Sequence, residues 1–256
     1  MSARRPRGSM PLLDSEAIIL HSAPLGEADK LVSFLARGFG RLRGVAPGAR
    51  RPRSRFGAGL ELLSHVRLSF FDRAHRDLVR LSQCELIQPF WQGSPDYAHT
   101  LALSHLAELC ERLLPEREPS ERTFRLLLMV LDAIKSRPDI WLGLLYFQLW
   151  MVRLAGFLPA LERCNHCQRE FADEPCYLGL GTGGALCRRC RKPGMRALAA
   201  ASRTLAQQLL AQPLTHFAAT ASDKTSTQEL RNYLLDVVEH HTETQLATRE
   251  LLDGLD

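Results

Sequence analysis

Four of the seven cysteines fall in two matched pairs, Cys164-Asn-His-Cys167 and Cys187-Arg-Arg-Cys190, with nineteen residues between them. Two tight turns that each offer two thiolates are what a tetrahedral zinc ion takes up, and this spacing is that of zinc ribbons. With all four positions filled by protein, such an ion is structural, because no place is left for water or substrate. Two other readings stand beside it: four unligated thiols, or a redox pair, which needs one CxxC at a strand-to-helix junction. Cys176 and His166 are chemically able to substitute, but each breaks the paired spacing. Arg188, Arg189, Arg191 and Lys192 crowd the second pair. They either touch nucleic acid or offset the negative charge of a four-thiolate site.

A second concentration of chemistry is cationic. Arg50, Arg51, Arg53 and Arg55 lie within six residues, and no Asp or Glu occurs from Lys30 to Leu60. Just upstream, Arg41 and Arg43 stand two residues apart, which puts both on one face of a strand. Guanidinium groups this close repel one another unless an anion lies between them. The pattern therefore predicts a phosphate-binding surface, against the plainer reading of a solvated, flexible loop. Lys30 and Arg67 are weaker additions to it. Phe34, Phe39, Phe56, Phe70 and Phe71 are the aromatics able to stack on bases. Most of them read as core, and Phe56, inside the arginine loop, is the candidate for exposure.

Nothing else suggests catalysis. Gly179 to Gly184 (GLGTGG) lacks the Lys-Ser/Thr of a nucleotide loop and reads as turn glycines within the ribbon. The nine histidines are scattered, and no Ser/His/Asp set marks a nucleophile. The chain reads as a binding protein and not an enzyme.

The 256 residues allow one large domain or two to three small ones, and 45% hydrophobic content supplies a sizeable core. Residues 1–80 hold fifteen Lys or Arg against seven Asp or Glu, whereas the remaining 176 hold eighteen against twenty-one. A basic first third on a slightly acidic remainder points to a localised anionic partner. Paired cysteines in an odd total suit a reducing compartment. The leader MSARRPRGSM has no apolar core, so it reads as a disordered basic tail, with Met10 a candidate start. Ile140 to Val152 is uncharged for thirteen residues. A membrane span takes about twenty, so this is a buried helix and the expected location is the cytoplasm.

Those residues need a scaffold. Strands are predicted over Glu16–Ser22, Lys30–Phe34, Phe39–Ala46, Leu60–Phe71 and Leu78–Ile87, separated by Pro- and Gly-containing turns. In the fourth, His65, Arg67 and Ser69 alternate with Val66, Leu68 and Phe70, the period of a half-buried strand. Five short strands in about eighty residues fit an oligonucleotide-binding barrel, with an SH3-like barrel as the rival. Beyond residue 95 the period becomes helical: up to Pro115, again from Pro119 to Pro138, then over Ile140–Gly156, Ser202–Gln212 and Thr227–His241. The third helix, apolar nearly all round, should be the centre of a bundle.

The run EAIILHSAPLGEADKLVSFLARGFGRLRGVAPGARRPRSRFGAGLELLSHVRLSFF, followed by DLVRLSQCELIQPFW, resembles the amino-terminal domain of the bacterial recombination mediator RecO family. G-x-x-x-G-V-A-x-G-A-R-R and S-Q-x-E-L together are fairly specific, and the helical part and cysteine insertion extend the likeness over nearly everything after Leu12. The resemblance implies an α+β, multidomain fold: an N-terminal five-stranded OB-fold barrel followed by an α-helical bundle with an inserted four-cysteine zinc lobe. The expected divisions are a leader at 1–11, the nucleic-acid-binding barrel at 12–88, a bundle at 89–160 and 195–256, and a zinc lobe at 161–194. It further implies a DNA repair and recombination role: binding single- and double-stranded DNA, annealing complementary strands, and loading recombinase on DNA coated by single-strand-binding protein. The implied partners are RecR, the acidic C-terminal tail of single-strand-binding protein and, in some members, RecF, with the nucleoid as the place of work during repair. On this chain the DNA-binding face would be Arg41, Arg43, Arg50, Arg51, Arg53 and Arg55, and the zinc ligands Cys164, Cys167, Cys187 and Cys190. The alternative is an RNA-binding barrel and zinc-ribbon protein without annealing activity. A thiol oxidoreductase is a third possibility, which one bound zinc would argue against.

Overall fold

A computed structural model describes residues 11–72, 76–89, 96–136, 140–181, 184–217 and 223–255. The leader, Met10 included, lies outside them except for Pro11. The chain divides into two compact units: the residues up to 94 together with Leu114–Phe124, and residues 95–113 together with everything from Arg125.

In the first unit, β1 (Leu12–Leu25), β2 (Asp29–Ala36), β3 (Gly40–Ala46), β4 (His65–Phe71) and β5 (Leu78–Gln88) close a barrel in the order β1-β2-β3-β5-β4. All neighbours are antiparallel except β3 and β5, whose parallel pairing shuts the barrel. That order is the oligonucleotide-binding topology, and the SH3-like rival falls away. β1 runs well past its expected limits because it serves two partners. Leu12–Ile18 pairs with β4 and Ala17–Leu25 with β2, and a bulge between Ile19 and His21 bends the strand from one to the other. Inside lie alternate residues of every strand, among them Val32, Phe34, Leu42, Val66, Leu68, Phe70, Val79 and Leu81.

The fourth strand is shorter than expected. Gly57–Leu60 forms a 3-10 turn, Leu63 takes a left-handed conformation (φ 57°), and β4 begins only at His65. The peptide groups of Leu63 and Ser64 bond instead to Ile19 of β1, with Leu63 N–H donating to Ile19 O at 2.7 Å and Ile19 N–H donating to Ser64 O at 3.1 Å.

The second unit carries α1 (Tyr97–Leu113), most of α2 (Glu121–Ser136), α3 (Trp141–Leu154), α4 (Ala200–Ala211), α5 (Lys224–Thr242) and a short α6 (Arg249–Asp253) that sequence periodicity did not reveal. α3 is the buried helix, with ten of its residues enclosed. His105 of α1, fully buried, receives a hydrogen bond from Gln148 Nε2 at 2.8 Å, and its Nδ1 lies 2.6 Å from Thr248 Oγ1. Thr248 Oγ1 in turn donates to Glu108 Oε2 at 2.7 Å. A neutral ring with its proton on Nδ1 satisfies this whole chain of bonds, which holds the segment entering α6 against α1.

Between α3 and α4 a three-stranded sheet is inserted, in which β6 (Cys176–Leu178) lies between β7 (Ala185–Leu186) and β8 (Arg196–Leu198). It carries the cysteine turns. The helical lobe with its inserted cysteine lobe thus matches the expected architecture.

Candidate nucleic-acid interface and metal centre

The basic loop starts where β3 ends, and its backbone is pinned at both ends. Gly48, with φ 72°, turns the chain, and its N–H donates to Asp29 Oδ1 at 2.8 Å. Arg50 then ties back to the β1–β2 turn: its N–H donates to Ala28 O at 2.9 Å and its guanidinium to Gly26 O at 2.7 Å. Overlapping turns follow, with Ser54 N–H donating to Arg51 O at 3.1 Å and Gly59 N–H to Phe56 O at 3.1 Å. Arg53 takes a left-handed conformation (φ 60°), uncommon for a residue other than glycine and held here by the turns on either side.

Phe56 is the far anchor. The sequence offered it as an exposed aromatic, but it is 2% exposed and packs in the barrel core with Leu60, Val66 and Phe70. Arg55 lies over its ring, guanidinium carbon 5.1 Å from the centroid. Phe34 and Phe70 are core as expected, and Phe39 packs edge-on to Phe70. Arg50, Arg51, Arg53 and Arg55 are all exposed. Among the described residues, no carboxylate lies within ion-pair reach of Arg51, Arg53 or Arg55. Four like charges on a pinned backbone form a surface that attracts anions, because the loop cannot relax by spreading.

Arg41 and Arg43 do share the outer face of β3, while Leu42 points into the core. They are not free, however. Arg43 Nε lies 2.7 Å from Glu116 Oε1, Arg41 lies 3.5 Å from the same oxygen, and Arg41 Nε donates to Leu114 O at 2.9 Å. Lys30 is 3.9 Å from Glu61. The segment Leu114–Glu121 is thus a strap along the barrel. Its backbone pairs with β3, Arg117 N–H donating to Arg41 O at 2.9 Å, and Arg117 also grips Asp72 and the Arg76 carbonyl. Gly40 makes room for it, since a Cβ there would overlap the Glu118 backbone. Gly44 does the same for β5, where a Cβ would meet Val79 at 2.7 Å. The strap and Arg37, which bonds Glu121 through two nitrogens at 2.7 and 3.0 Å, were missed in the sequence. The one local signal was an acidic Glu-Arg-Glu between prolines.

The candidate metal centre is built by two turns and the small sheet. Cys164, Cys167, Cys187 and Cys190 bring their sulfurs within 4.8 Å of one another, and Cys167 and Cys187 are 3.7 Å apart. In the first turn, Gln168 N–H donates to Cys164 O at 2.9 Å; in the second, Cys190 and Arg191 N–H both donate to Cys187 O at 3.0 Å. Asn165 N–H donates to Ala185 O at 2.8 Å, which joins the first turn to β7. Burial pushes the Cys164 thiol up, yet the N–H groups of Cys167, Cys187 and His166 outweigh it and draw the group down to about 6. The same N–H groups favour the thiolate, which is the form of cysteine that ligates a metal.

Cys176 and His166 stand outside the cluster. Burial pushes Cys176 up to about 11, so it stays an inert thiol in β6, and His166 approaches Cys190 Sγ only at 3.8 Å. Arg188, Arg189, Arg191 and Lys192 are exposed around the second turn, and Arg191 lies 5.0 Å over the Tyr177 ring. Of GLGTGG, Leu180 and Gly181 form a turn after β6 and Gly184 precedes β7, while Thr182 and Gly183 lie outside the described residues. One supporting residue had no sequence signal. Arg203 of α4, buried, reaches Leu161 O at 3.4 Å and the Ala172 carbonyl, and stacks on Phe171 at 5.6 Å. It props the loop on which the first turn stands. Among the described residues no helix is long and apolar enough to cross a membrane.

The comparisons with known proteins agree with this architecture. Residues 10–90 match the family described as Recombination protein O N terminal, and residues 94–250 match Recombination protein O C terminal. The DNA repair protein RecO of Koribacter versatilis is 40% identical over 245 residues, covering 96% of this chain and all of that one. The protein of the same name from Anaeromyxobacter sp. is 32% identical over 241 residues, covering 93% of this chain and 94% of its own. That from Pelotomaculum thermopropionicum is 31% identical over 246 residues. With its oligonucleotide-binding barrel, helical lobe and four-cysteine cluster, the chain belongs to the RecO family of DNA repair proteins.

Proposed function

We propose that this protein is a DNA-binding, strand-annealing mediator that acts without bond chemistry. The observation that carries the reading is the pinned loop, where Arg51, Arg53 and Arg55 stand exposed with no carboxylate in reach among the described residues. Such a surface neutralises phosphates and leaves base edges free, so two complementary strands held there repel each other less and can pair. Binding is then sequence-tolerant and salt-sensitive. With four to six phosphates neutralised on a single strand, affinity falls roughly fifty- to three-hundred-fold between about 50 and 200 mM salt. The barrel, at 12–88, supplies this activity. The bundle, at 89–160 and 195–256, and the lobe, at 161–194, are read as the platform for partners. Family membership supports RecR, the tail of single-strand-binding protein and RecF as those partners, and recombinase loading as the outcome.

The metal is read as zinc in a structural role. A tetrahedral ion about 2.3 Å from each sulfur needs sulfurs roughly 3.8 Å apart, close to the 3.7 Å between Cys167 and Cys187. Four thiolates leave no open position, so the ion would cross-link the two turns and fix the lobe.

The test is ATP-free annealing of two complementary labelled strands, bare or coated by single-strand-binding protein, with the wild type and Arg50→Glu/Arg51→Glu/Arg53→Glu. The reading expects annealing by the wild type alone. A wild type that binds RNA as well as DNA and anneals neither would replace this reading with an RNA-binding one.

A further inference from the structure

Two arginines of β3 converge on one carboxylate, and the strap that supplies it is held by backbone bonds at Arg117, by Gly40 and by the Arg117–Asp72 pair. Arg43 is the more exposed of the two, its side chain 43% accessible against 13% for Arg41. Glu121 holds Arg37 in the same way, with Glu16 as a second partner at 3.2 Å. The result is uneven. The arginines of the loop face solvent, whereas those of the strand row already share one carboxylate from within the chain, which offsets one of their two charges.

A carboxylate bound to two guanidinium groups takes the place a phosphate would take, because both offer anionic oxygens to the planar fork of guanidinium donors. Arginines held in this way release fewer counterions when a nucleic acid arrives, so they add less to affinity while Glu116 stays in place. Where the phosphate backbone competes successfully, Glu116 is displaced and the row opens. We propose that Arg41 and Arg43 form a second phosphate row beside the loop, gated by Glu116 as an internal phosphate mimic. The inference rests on the nucleic-acid reading of the barrel. Its consequence is ordered binding: the loop takes the first strand, and the row is available only to a backbone held long enough to compete with the strap. That suits a protein that must accept a second strand without clamping the first.

The test is fluorescence anisotropy of the full chain with a labelled oligothymidylate across a range of salt concentrations. Glu116→Gln keeps the shape and removes the charge. If it frees one or both arginines, affinity rises roughly five- to twenty-five-fold at about 0.1 M salt, and the salt slope steepens by about 0.7 to 1.4. Adding Arg41→Gln/Arg43→Gln to that variant abolishes the gain. The same double change in the otherwise unaltered chain weakens binding less than about threefold, since the row starts closed. Should Glu116→Gln disturb the strap, seen as a lower melting temperature, Glu116→Asp provides a second test, with a smaller gain expected.

If Glu116→Gln matches the wild type in affinity and slope while Arg50→Gln/Arg51→Gln/Arg53→Gln weakens binding, the gate is refuted and the loop reading survives. If the loop variant binds like the wild type but Glu116→Gln still tightens through Arg41 and Arg43, the loop reading falls and the row stands. If the arginine double change alone costs more than tenfold, the row is open from the start and the gate is again refuted.

Discussion

Phe56 separates two accounts of the basic loop, because an aromatic among arginines can either stack on bases or pin the loop. Its ring is 2% exposed and packs with Leu60, Val66 and Phe70, which makes it a pin. Replacing it with leucine nearly conserves volume and should cost under about 1.5 kcal/mol of stability. Alanine would leave a cavity and cost about 3–5 kcal/mol, a large share of the roughly 5–15 kcal/mol that holds a domain together. The leucine variant is therefore the informative one. Were the ring a stacking platform, its loss would cost about 1–3 kcal/mol of binding, or roughly 5- to 150-fold in Kd. Urea unfolding gives the stability, and anisotropy with an oligonucleotide of about 20 nucleotides, longer than one such barrel covers, gives the affinity. The expected outcome for Phe56→Leu is a lower unfolding midpoint with Kd within about twofold of the wild type. Unchanged stability with a tenfold weaker Kd would refute the reasoning.

Three further expectations follow from other parts of the molecule. Cys187→Ser should lose bound metal and melt at a lower temperature while DNA binding by the barrel persists, and Cys176→Ser should keep full metal content; elemental analysis after gel filtration decides both. Burial lowers the His105 imidazole to about 4. The unfolded chain, with its histidine near 6.5, takes up that proton first, so stability present above about pH 6.5 is lost as pH falls towards 4, by roughly 2–3 kcal/mol. Urea unfolding at pH 7 and 4.5 should show a drop in the wild type that is smaller in His105→Gln. Arg203→Leu should weaken metal retention under a competing chelator, because it removes the donor to the Leu161 and Ala172 carbonyls; retention equal to the wild type would show that the first turn stands without it.

The barrel was legible because its evidence is local: alternation along His65–Phe70, and glycines at 38, 40, 44 and 48 where the chain turns or another strand approaches. The cysteine turns were legible for the same reason, since ligand spacing is written in consecutive residues. What escaped depends on distant neighbours. Leu60–Ser64 carries apolar residues that look like strand, but its peptide groups bond to Ile19, and the sequence does not show that. Phe56 looks exposed beside four arginines, and only the closed barrel explains its burial. Arg41 and Arg43 read as a free cationic face because their partner, Glu116, lies more than seventy residues away. α6 is five residues long and lacks a side-chain cap, too little for a period to register.

The central claim, that the Arg50–Arg55 loop meets nucleic-acid phosphates, is tested most directly by the salt dependence of single-strand binding. For the wild type the account predicts a slope of log affinity against log salt of about −3 to −4, which Arg50→Gln/Arg51→Gln/Arg53→Gln makes shallower by about 2. A variant with the wild-type slope and affinity would contradict it, and the loop would then be a solvated turn.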